Sequence, residues 1–157
     1  MSFKSGELSD RGRAWDQEYG KIRAYTTSYR GDIDRGIRFL LGYLETHRET
    51  IDGPIVDCGC GIGRNAIPLA QAGHQVIGLE HSAVALHRLQ ERLEESALTG
   101  TLTTQQHDLN EPLPIEDDFA AAVLDITAVD NLVDAELRLG YGQEQSLIHI
   151  CRCRRAI

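Results

Sequence analysis

The sequence has no long hydrophobic run, and none of its apolar stretches approaches the roughly 18 residues needed to cross a membrane. Its first seven residues also lack the apolar stretch of a secretory signal. Basic residues are scarce, with 16 Lys and Arg against 24 Asp and Glu and a net charge of −8. Because this charge repels phosphate backbones and anionic lipid, nucleic acid and membranes are disfavoured as partners. The composition predicts a soluble, cytoplasmic domain.

Cysteines are few, and their spacing does not suggest a cross-linked or metal-bound protein. Only one residue separates Cys58 from Cys60, in a glycine-rich segment where a disulfide would be strained. Neither the four cysteines nor the six histidines show a zinc-type spacing. We therefore expect free thiols and no metal site.

The last twelve residues differ in character from the rest of the chain. Residues 146–157 read SLIHICRCRRAI, with three arginines in four positions, and resemble the translated end of a sequencing-library adapter. We interpret this segment as an adapter-derived artefact and exclude it from the fold. The alternative is a genuine basic tail on a surface helix.

Hydrophobic spacing predicts helices and strands in alternation. The predicted helices cover 33–47, 64–71, 82–96 with Ser82 as N-cap, and 130–139, while the predicted strands cover 55–58, 74–79, 101–107 and 119–124. The last strand is a continuous apolar run, which is typical of burial on both faces. Trp15 and Tyr19, four residues apart, would share one face of a short helix. This order predicts an α/β fold, a Rossmann-like doubly wound parallel sheet.

Acidic residues stand at the end of every predicted strand. They are Asp57, Glu80, Asp108 and Asp125. Because the carboxyl ends of parallel strands meet at one edge of the sheet, where ligands bind, these side chains predict a cofactor crevice.

A glycine-rich turn follows the first of these strands. Gly61 to Ala66 fits the G-x-G-x-x-A form of the dinucleotide fingerprint, and Glu80, 17 residues after Gly63, is suitably placed to bind ribose hydroxyls. These features indicate an adenosine-type cofactor and leave open whether it is a nicotinamide dinucleotide or S-adenosylmethionine.

The longer string from Val56 to Gly63 adds an acid two residues before three alternating glycines. It resembles the first motif of class I S-adenosylmethionine-dependent methyltransferases, hydrophobic-D-x-G-x-G-x-G. The run from Gly59 to Asn65, GCGIGRN, is similar to the turn of the tellurite-resistance and thiopurine types. The resemblance covers residues 12–138 and implies S-adenosyl-L-methionine as cofactor and a small-molecule methyl acceptor. An NAD(P)-dependent oxidoreductase and a non-catalytic S-adenosylmethionine-binding module or fragment remain as alternatives.

The resemblance also implies roles for individual residues. Asp57 and the turn would border the methionine part, Glu80 would hold the ribose, His81, Asp108 and Leu109 would surround the adenine, and Asp125 would lie near the transferring methyl group. Trp15 and Tyr19 would cover the cofactor. The full predicted set is Asp57, Gly59, Cys60, Gly61, Gly63, Asn65, Glu80, His81, Asp108, Leu109, Asp125, Trp15 and Tyr19. No residue is assigned as the catalytic base.

The chain supplies four of the usual seven strands of such a sheet. We therefore expect an N-terminal helical segment over the cofactor site at 1–50, a truncated cofactor-binding core at 51–145 and the artefact tail at 146–157. With a truncated core, weakened cofactor binding or stability is expected.

Overall fold

The computed structural model describes residues 10–21, 33–47, 53–126 and 128. Two helices come first, strands and helices then alternate over residues 55–106, as the hydrophobic spacing predicts, and a fourth strand follows. In order they are α1 (Asp10–Gly20), α2 (Arg35–Thr46), β1 (Ile55–Cys58), α3 (Ala66–Gln71), β2 (Gln75–Glu80), α4 (Ala83–Glu94), β3 (Thr101–Gln106) and β4 (Ala122–Asp125). The helix predicted at 130–139 and the tail at 146–157 lie outside the described residues.

The four described strands form one parallel sheet in the order β3-β2-β1-β4. Asp57 on β1 is aligned with Gly78 on β2 and with Leu124 on β4. β2 and β3 therefore lie on one side of β1, and β4 lies on the other side. Because all pairs are parallel, the carboxyl ends of the four strands share one edge. This confirms the predicted Rossmann-like α/β class and brings the predicted acidic residues to one edge of the sheet.

The core lies on both faces of β1, all four residues of which are buried. Ile55 packs with Leu44 of α2 and Leu69 of α3, whereas Val56 packs with Leu79 and Val123 on the opposite face. Because successive side chains of a strand point to opposite faces, this apolar strand joins two layers of packing. β1 is thereby held rigidly beneath the glycine turn that follows it.

The starts of two helices are capped by side chains. Asp34 accepts a hydrogen bond from the Gly36 amide of α2 at 2.7 Å, and Ser82 accepts one from the Ala85 amide of α4 at 3.1 Å. These bonds satisfy amides that have no partner within the helix. The prediction of Ser82 as an N-cap is confirmed.

The fourth strand is shorter than the sequence suggests. It begins at Ala122 rather than Phe119, and Phe119 is 45% exposed. Asp118 adopts a positive φ of 59°, which turns the chain just before the strand, and the Ala121 amide bonds the Pro54 carbonyl at 2.8 Å. Both faces of β4 contact the core, since Ala122 and Leu124 pack against one apolar cluster and Val123 belongs to the other. Ala122 and Leu124 are only half-buried, so the burial predicted for both faces is partial.

Candidate functional site

The site is built around Asp57, a buried carboxyl group near the end of β1. Asp57 is 2% exposed, and its Oδ2 atom has no hydrogen-bond partner among the described residues. Burial, followed by the negative charges of Glu80 and Asp125, raises the pKa of Asp57 to about 7. Near neutral pH this carboxyl group is therefore only partly ionised, and a cation beside it would favour the charged form.

Glu80, at the end of β2, joins the glycine turn to the start of α4. Its Oε2 atom accepts a hydrogen bond from the Gly61 amide at 2.9 Å, and its Oε1 atom accepts one from the Ser82 amide at 2.8 Å. Burial raises the pKa of Glu80, while these amides and His81 act in the opposite direction. The carboxylate is thus fixed in orientation by two backbone donors.

The amides of the glycine turn are largely bonded within the protein. Those of Gly59 and Cys60 both donate to the Leu79 carbonyl, at 2.8 and 3.0 Å. The Gly63 amide donates to the Cys60 carbonyl at 2.9 Å. Together with the Gly61 amide, which bonds Glu80, four donors of the turn are already bonded to other groups. They do not form a phosphate cradle.

Two helices brace the same turn from outside. Arg92 of α4 donates from Nη1 to the Ile62 carbonyl at 2.7 Å. On the other side, Asn65 accepts from the Asp34 amide at 3.3 Å through Oδ1, and the Arg64 guanidinium lies 3.3 Å from the Asp34 carboxylate. Asn65, a predicted cofactor residue, is therefore hydrogen-bonded to the backbone just before α2.

The side chain of Cys60, a residue of the turn, packs against Gly78 of β2. A Cβ atom added to Gly78 would lie 2.7 Å from the Cys60 sulfur, so the thiol fills the space that this glycine leaves. Burial raises the pKa of the Cys60 thiol well above its usual value. Cys58 and Cys60 are both buried, and neither forms a disulfide within the described residues.

Helix α1 covers the turn. Tyr19 is 4% exposed, and its hydroxyl oxygen would lie 2.7 Å from a Cβ atom placed on Gly61. The rings of Trp15 and Tyr19 are 6.0 Å apart between centroids and tilted by 35°, so the two side chains share one face as predicted. Tyr19 therefore lies against the glycine turn, with the Trp15 ring beside it.

Asp16, between these aromatic residues, contacts the start of α4, which the sequence did not reveal. Its Oδ1 atom accepts hydrogen bonds from the Ser82 hydroxyl at 2.5 Å and the Val84 amide at 3.1 Å. The partners lie 66 and 68 positions away in the chain, so no local pattern could have indicated this contact.

The ends of β2 and β3 contribute the predicted adenine neighbours. His81 Nδ1 lies 3.3 Å from Asp108 Oδ2, and Asp108 Oδ1 accepts from the Asn110 amide at 3.0 Å. Leu109 packs against the apolar cluster that contains Val56. His81, Asp108 and Leu109 therefore lie close together beside Glu80.

Asp125 completes the edge at the end of β4. Its Oδ1 atom accepts a hydrogen bond from the Ala128 amide at 2.9 Å. A Cβ atom on Gly59, which has a φ of +71°, would lie only 2.6 Å from the Ala128 Cβ atom, so the chain after β4 lies directly against the glycine turn. In the part of the chain that the structure describes, no group of three or more His, Cys, Asp or Glu residues is arranged to hold a metal ion.

Comparison with known proteins identifies the family. Residues 55–141 match a family described as a methyltransferase domain, and the match covers more than half of the chain. The chain belongs to this methyltransferase family. The matched segment begins with β1 and includes Asp57, Glu80, Asp108 and Asp125.

Individual relatives agree with this assignment. A ribosomal RNA small subunit methyltransferase C from Alcanivorax borkumensis is 36% identical over 72 residues, covering 46% of this chain and 22% of that protein. One solved structure concerns the conversion of a disulfide bond into a thioacetal group during echinomycin biosynthesis. It has a TM-score of 0.67 at 19% sequence identity, and the match covers 90% of this chain and 56% of that chain. The structure of magnesium protoporphyrin IX methyltransferase from Synechocystis with bound S-adenosylmethionine has a TM-score of 0.53 at 22% sequence identity. The match covers 89% of this chain and 67% of that chain.

The two structural likenesses establish the shared fold. The chain spans about a fifth of the length of the ribosomal RNA methyltransferase and little more than half of the echinomycin-related structure. Within the described residues of this methyltransferase-domain chain, no helix combines the length and apolar character that crossing a membrane requires.

Proposed function

We propose that this chain binds S-adenosyl-L-methionine at the carboxyl edge of its sheet and transfers the methyl group to a small-molecule acceptor. The observation that carries the proposal is the Oδ2 atom of the buried Asp57, which has no hydrogen-bond partner among the described residues. A buried carboxyl group without a partner is costly, and a cationic ligand group beside it would remove that cost. The ammonium group of the cofactor's methionine part has the required charge and donors.

The rest of the edge fits the remaining parts of the cofactor. Glu80 is held by the amides of Gly61 and Ser82, and each of its oxygens retains acceptor capacity for a ribose hydroxyl. His81 and Asp108, 3.3 Å apart, lie at the next strand end, where an adenine would follow the ribose. The order of groups along the edge matches the order of groups in S-adenosylmethionine.

A dinucleotide fits less well. Its pyrophosphate needs free amide donors in the glycine turn that leads into the following helix. Here the amides of Gly59, Cys60, Gly61 and Gly63 are bonded to protein acceptors. The negative charges of Glu80 and Asp125, both of which act on Asp57, would also repel the phosphates. These contacts favour a cationic cofactor over the oxidoreductase alternative.

When bound, the cofactor would supply an electrophilic methyl group on its sulfonium. The chain's own residues would orient the reactants and exclude water. Asp57 and Glu80 would hold opposite ends of the methionine-ribose unit, while Tyr19 and Trp15 would cover it. Asp125, whose charge already acts on Asp57, lies on the side of β4 where the acceptor would approach. We assign no catalytic base.

A small-molecule acceptor is supported by charge and by the structural neighbours. The net charge of −8 and the acidic site edge disfavour a polyanion. The two solved structures described above concern echinomycin biosynthesis and a magnesium porphyrin. A relative named as a ribosomal RNA methyltransferase supports RNA as the competing acceptor.

Calorimetric titration of the full chain with S-adenosylhomocysteine, with NADH as the comparison ligand, tests the cofactor. We expect saturable binding of the former and none of the latter, and loss of binding in Asp57→Asn. The exposed Asp117→Asn is the matched control and should bind normally. A folded wild-type protein that binds NADH, or neither ligand, would overturn the proposal.

The acceptor is tested with S-adenosylmethionine labelled in its methyl group. The full chain is incubated with pooled small metabolites and, separately, with ribosomal RNA. We expect label in the metabolite pool alone. Label in RNA would refute the acceptor class, and cofactor binding without transfer to either pool would favour the non-catalytic module.

A further inference from the structure

We propose that Asp16 is a positioning residue of the cofactor site, which fastens α1 to the first turn of α4 and so holds Tyr19 over the glycine turn. The proposal rests on the function proposed above, since the site that α1 covers is the S-adenosylmethionine site. Asp16 belongs to none of the motifs and lies outside the matched segment 55–141.

The first observation is the double hydrogen bond of the Asp16 carboxylate. Its Oδ1 atom accepts from the Ser82 hydroxyl at 2.5 Å and from the Val84 amide at 3.1 Å. Ser82 Oγ itself accepts from the Ala85 amide at 3.1 Å. Asp16 therefore extends the cap of α4 from outside the helix. A negative charge at the start of this 12-residue helix is also favoured by the helix dipole.

The second observation connects this cap with the cofactor site. The Ser82 amide donates to Oε1 of Glu80, and Oε2 of Glu80 accepts from the Gly61 amide. Gly61 lies under the hydroxyl group of Tyr19, which is one helical turn after Asp16. One turn of α1 is thus attached to the site at both ends, by hydrogen bonds at Asp16 and by packing at Tyr19.

The third observation is that α1 depends on this attachment. It has 11 residues, whereas isolated helices shorter than about 12–15 residues are marginal in water. Among the described helices and strands, α4 is the main contact of α1. Loss of the Asp16 carboxylate would therefore release α1 while leaving the sheet, to which α1 contributes no strand, intact.

The test compares Asp16→Ala and Asp16→Asn with Gln17→Ala, a matched control at an exposed position on the same helix. Trp15 is the only tryptophan of the sequence, is half-buried and adjoins Asp16, so its fluorescence reports on α1 alone. Acrylamide quenching is measured on the free protein, and the dissociation rate of S-adenosylhomocysteine by stopped flow. A thermal melt followed by circular dichroism monitors the sheet and its helices.

For Asp16→Ala we expect stronger quenching and dissociation faster by about tenfold or more, since hydrogen bonds to a charged group are lost. The association rate and the melt should change little. Asp16→Asn keeps an acceptor oxygen and loses the charge, so it should show a smaller increase of about two- to threefold. Gln17→Ala should resemble the wild type.

The proposal is overturned if Asp16→Ala matches Gln17→Ala in both quenching and dissociation. It is also overturned if Asp16→Ala lowers the melting temperature while leaving Trp15 quenching unchanged. If the wild type fails to bind S-adenosylhomocysteine, the proposed function fails, whereas quenching of the free protein still decides whether Asp16 fastens α1.

Discussion

The buried carboxyl group of Asp57 lies within electrostatic reach of the buried carboxyl group of Glu80 on the neighbouring strand, and the Glu80 charge raises the pKa of Asp57. Glu80 is held in place by two backbone amides, whereas one oxygen of Asp57 has no partner among the described residues. The free protein therefore bears an unfavourable charge arrangement that a cationic ligand would relieve. The Asp57 carboxylate therefore lowers the stability of the free protein but favours binding of a cationic ligand.

Replacing Asp57 by Asn is expected to stabilise the free protein at alkaline pH. The folded-state pKa of about 7 lies above the ordinary value of 3.8, so the folded chain binds this proton more tightly than the unfolded chain does. Its contribution to stability is complete below pH 3.8 and is lost as the pH rises through 7. At pH 8 the variant should be more stable by about 2–4 kcal/mol.

Thermal melts of the wild type and Asp57→Asn at pH 4 and pH 8 measure this effect. The difference in melting temperature should be small at pH 4 and large at pH 8. Asp117→Asn, at an exposed position, should show no such trend. A variant less stable than the wild type at pH 8 would show that Asp57 has a stabilising partner.

Cofactor binding should release a proton from Asp57. A cation beside the carboxyl group lowers its pKa, so at pH 6.5 the binding of S-adenosylhomocysteine should release between about half and one proton. Affinity should increase as the pH rises towards 7 and level off above it. Calorimetry in phosphate and in Tris, which differ in ionisation enthalpy, counts the protons, and equal heats in the two buffers would contradict the prediction.

Glu80→Gln should weaken both the turn and cofactor binding. Each oxygen of Glu80 accepts from a backbone amide, and an amide side chain would point an NH2 group at one of these donors. An unsatisfied buried donor costs about 1–3 kcal/mol. Glu91→Gln on the exposed face of α4 is the control. Denaturant unfolding measures the stability, and a variant with wild-type stability and affinity would refute the assigned role of Glu80.

Gly59→Ala should be more damaging than Gly73→Ala, although both glycines have positive φ values, of +71° and +96°. At Gly73 the nearest atom to a new Cβ is 3.9 Å away, so backbone strain of about 1–2 kcal/mol is expected. At Gly59 the new Cβ would also meet the Ala128 Cβ at 2.6 Å. Denaturant unfolding measures the free energy of unfolding of both variants. The additional loss in Gly59→Ala relative to Gly73→Ala reports how tightly the turn packs against the chain after β4. Equal losses would mean that this contact gives way easily.

Most of the fold could be predicted because its signals are local. The bounds of β1 are predicted correctly because the apolar Ile55, Val56 and Cys58 lead directly into the glycine turn. The Ser82 cap was predicted because capping acts over three residues. The start of β4 is predicted wrongly. The exposure of Phe119 depends on the turn at Asp118 and on the position of β4 at the edge of the described sheet, neither of which a local pattern shows.

By itself, the sequence determined the order of strands and helices, the parallel sheet and the four acids at its carboxyl edge. These follow from the spacing of apolar residues along the chain, which shows where each strand ends. Only the tertiary structure decided that one oxygen of Asp57 has no partner within the described part of the chain. The same holds for the bonds of the turn amides to Leu79 and Glu80, and for the capping of α4 by Asp16 from 66 positions away. Burial and hydrogen-bond pairing between distant segments depend on how the layers pack. That packing is a property of the whole chain, so no local pattern encodes it.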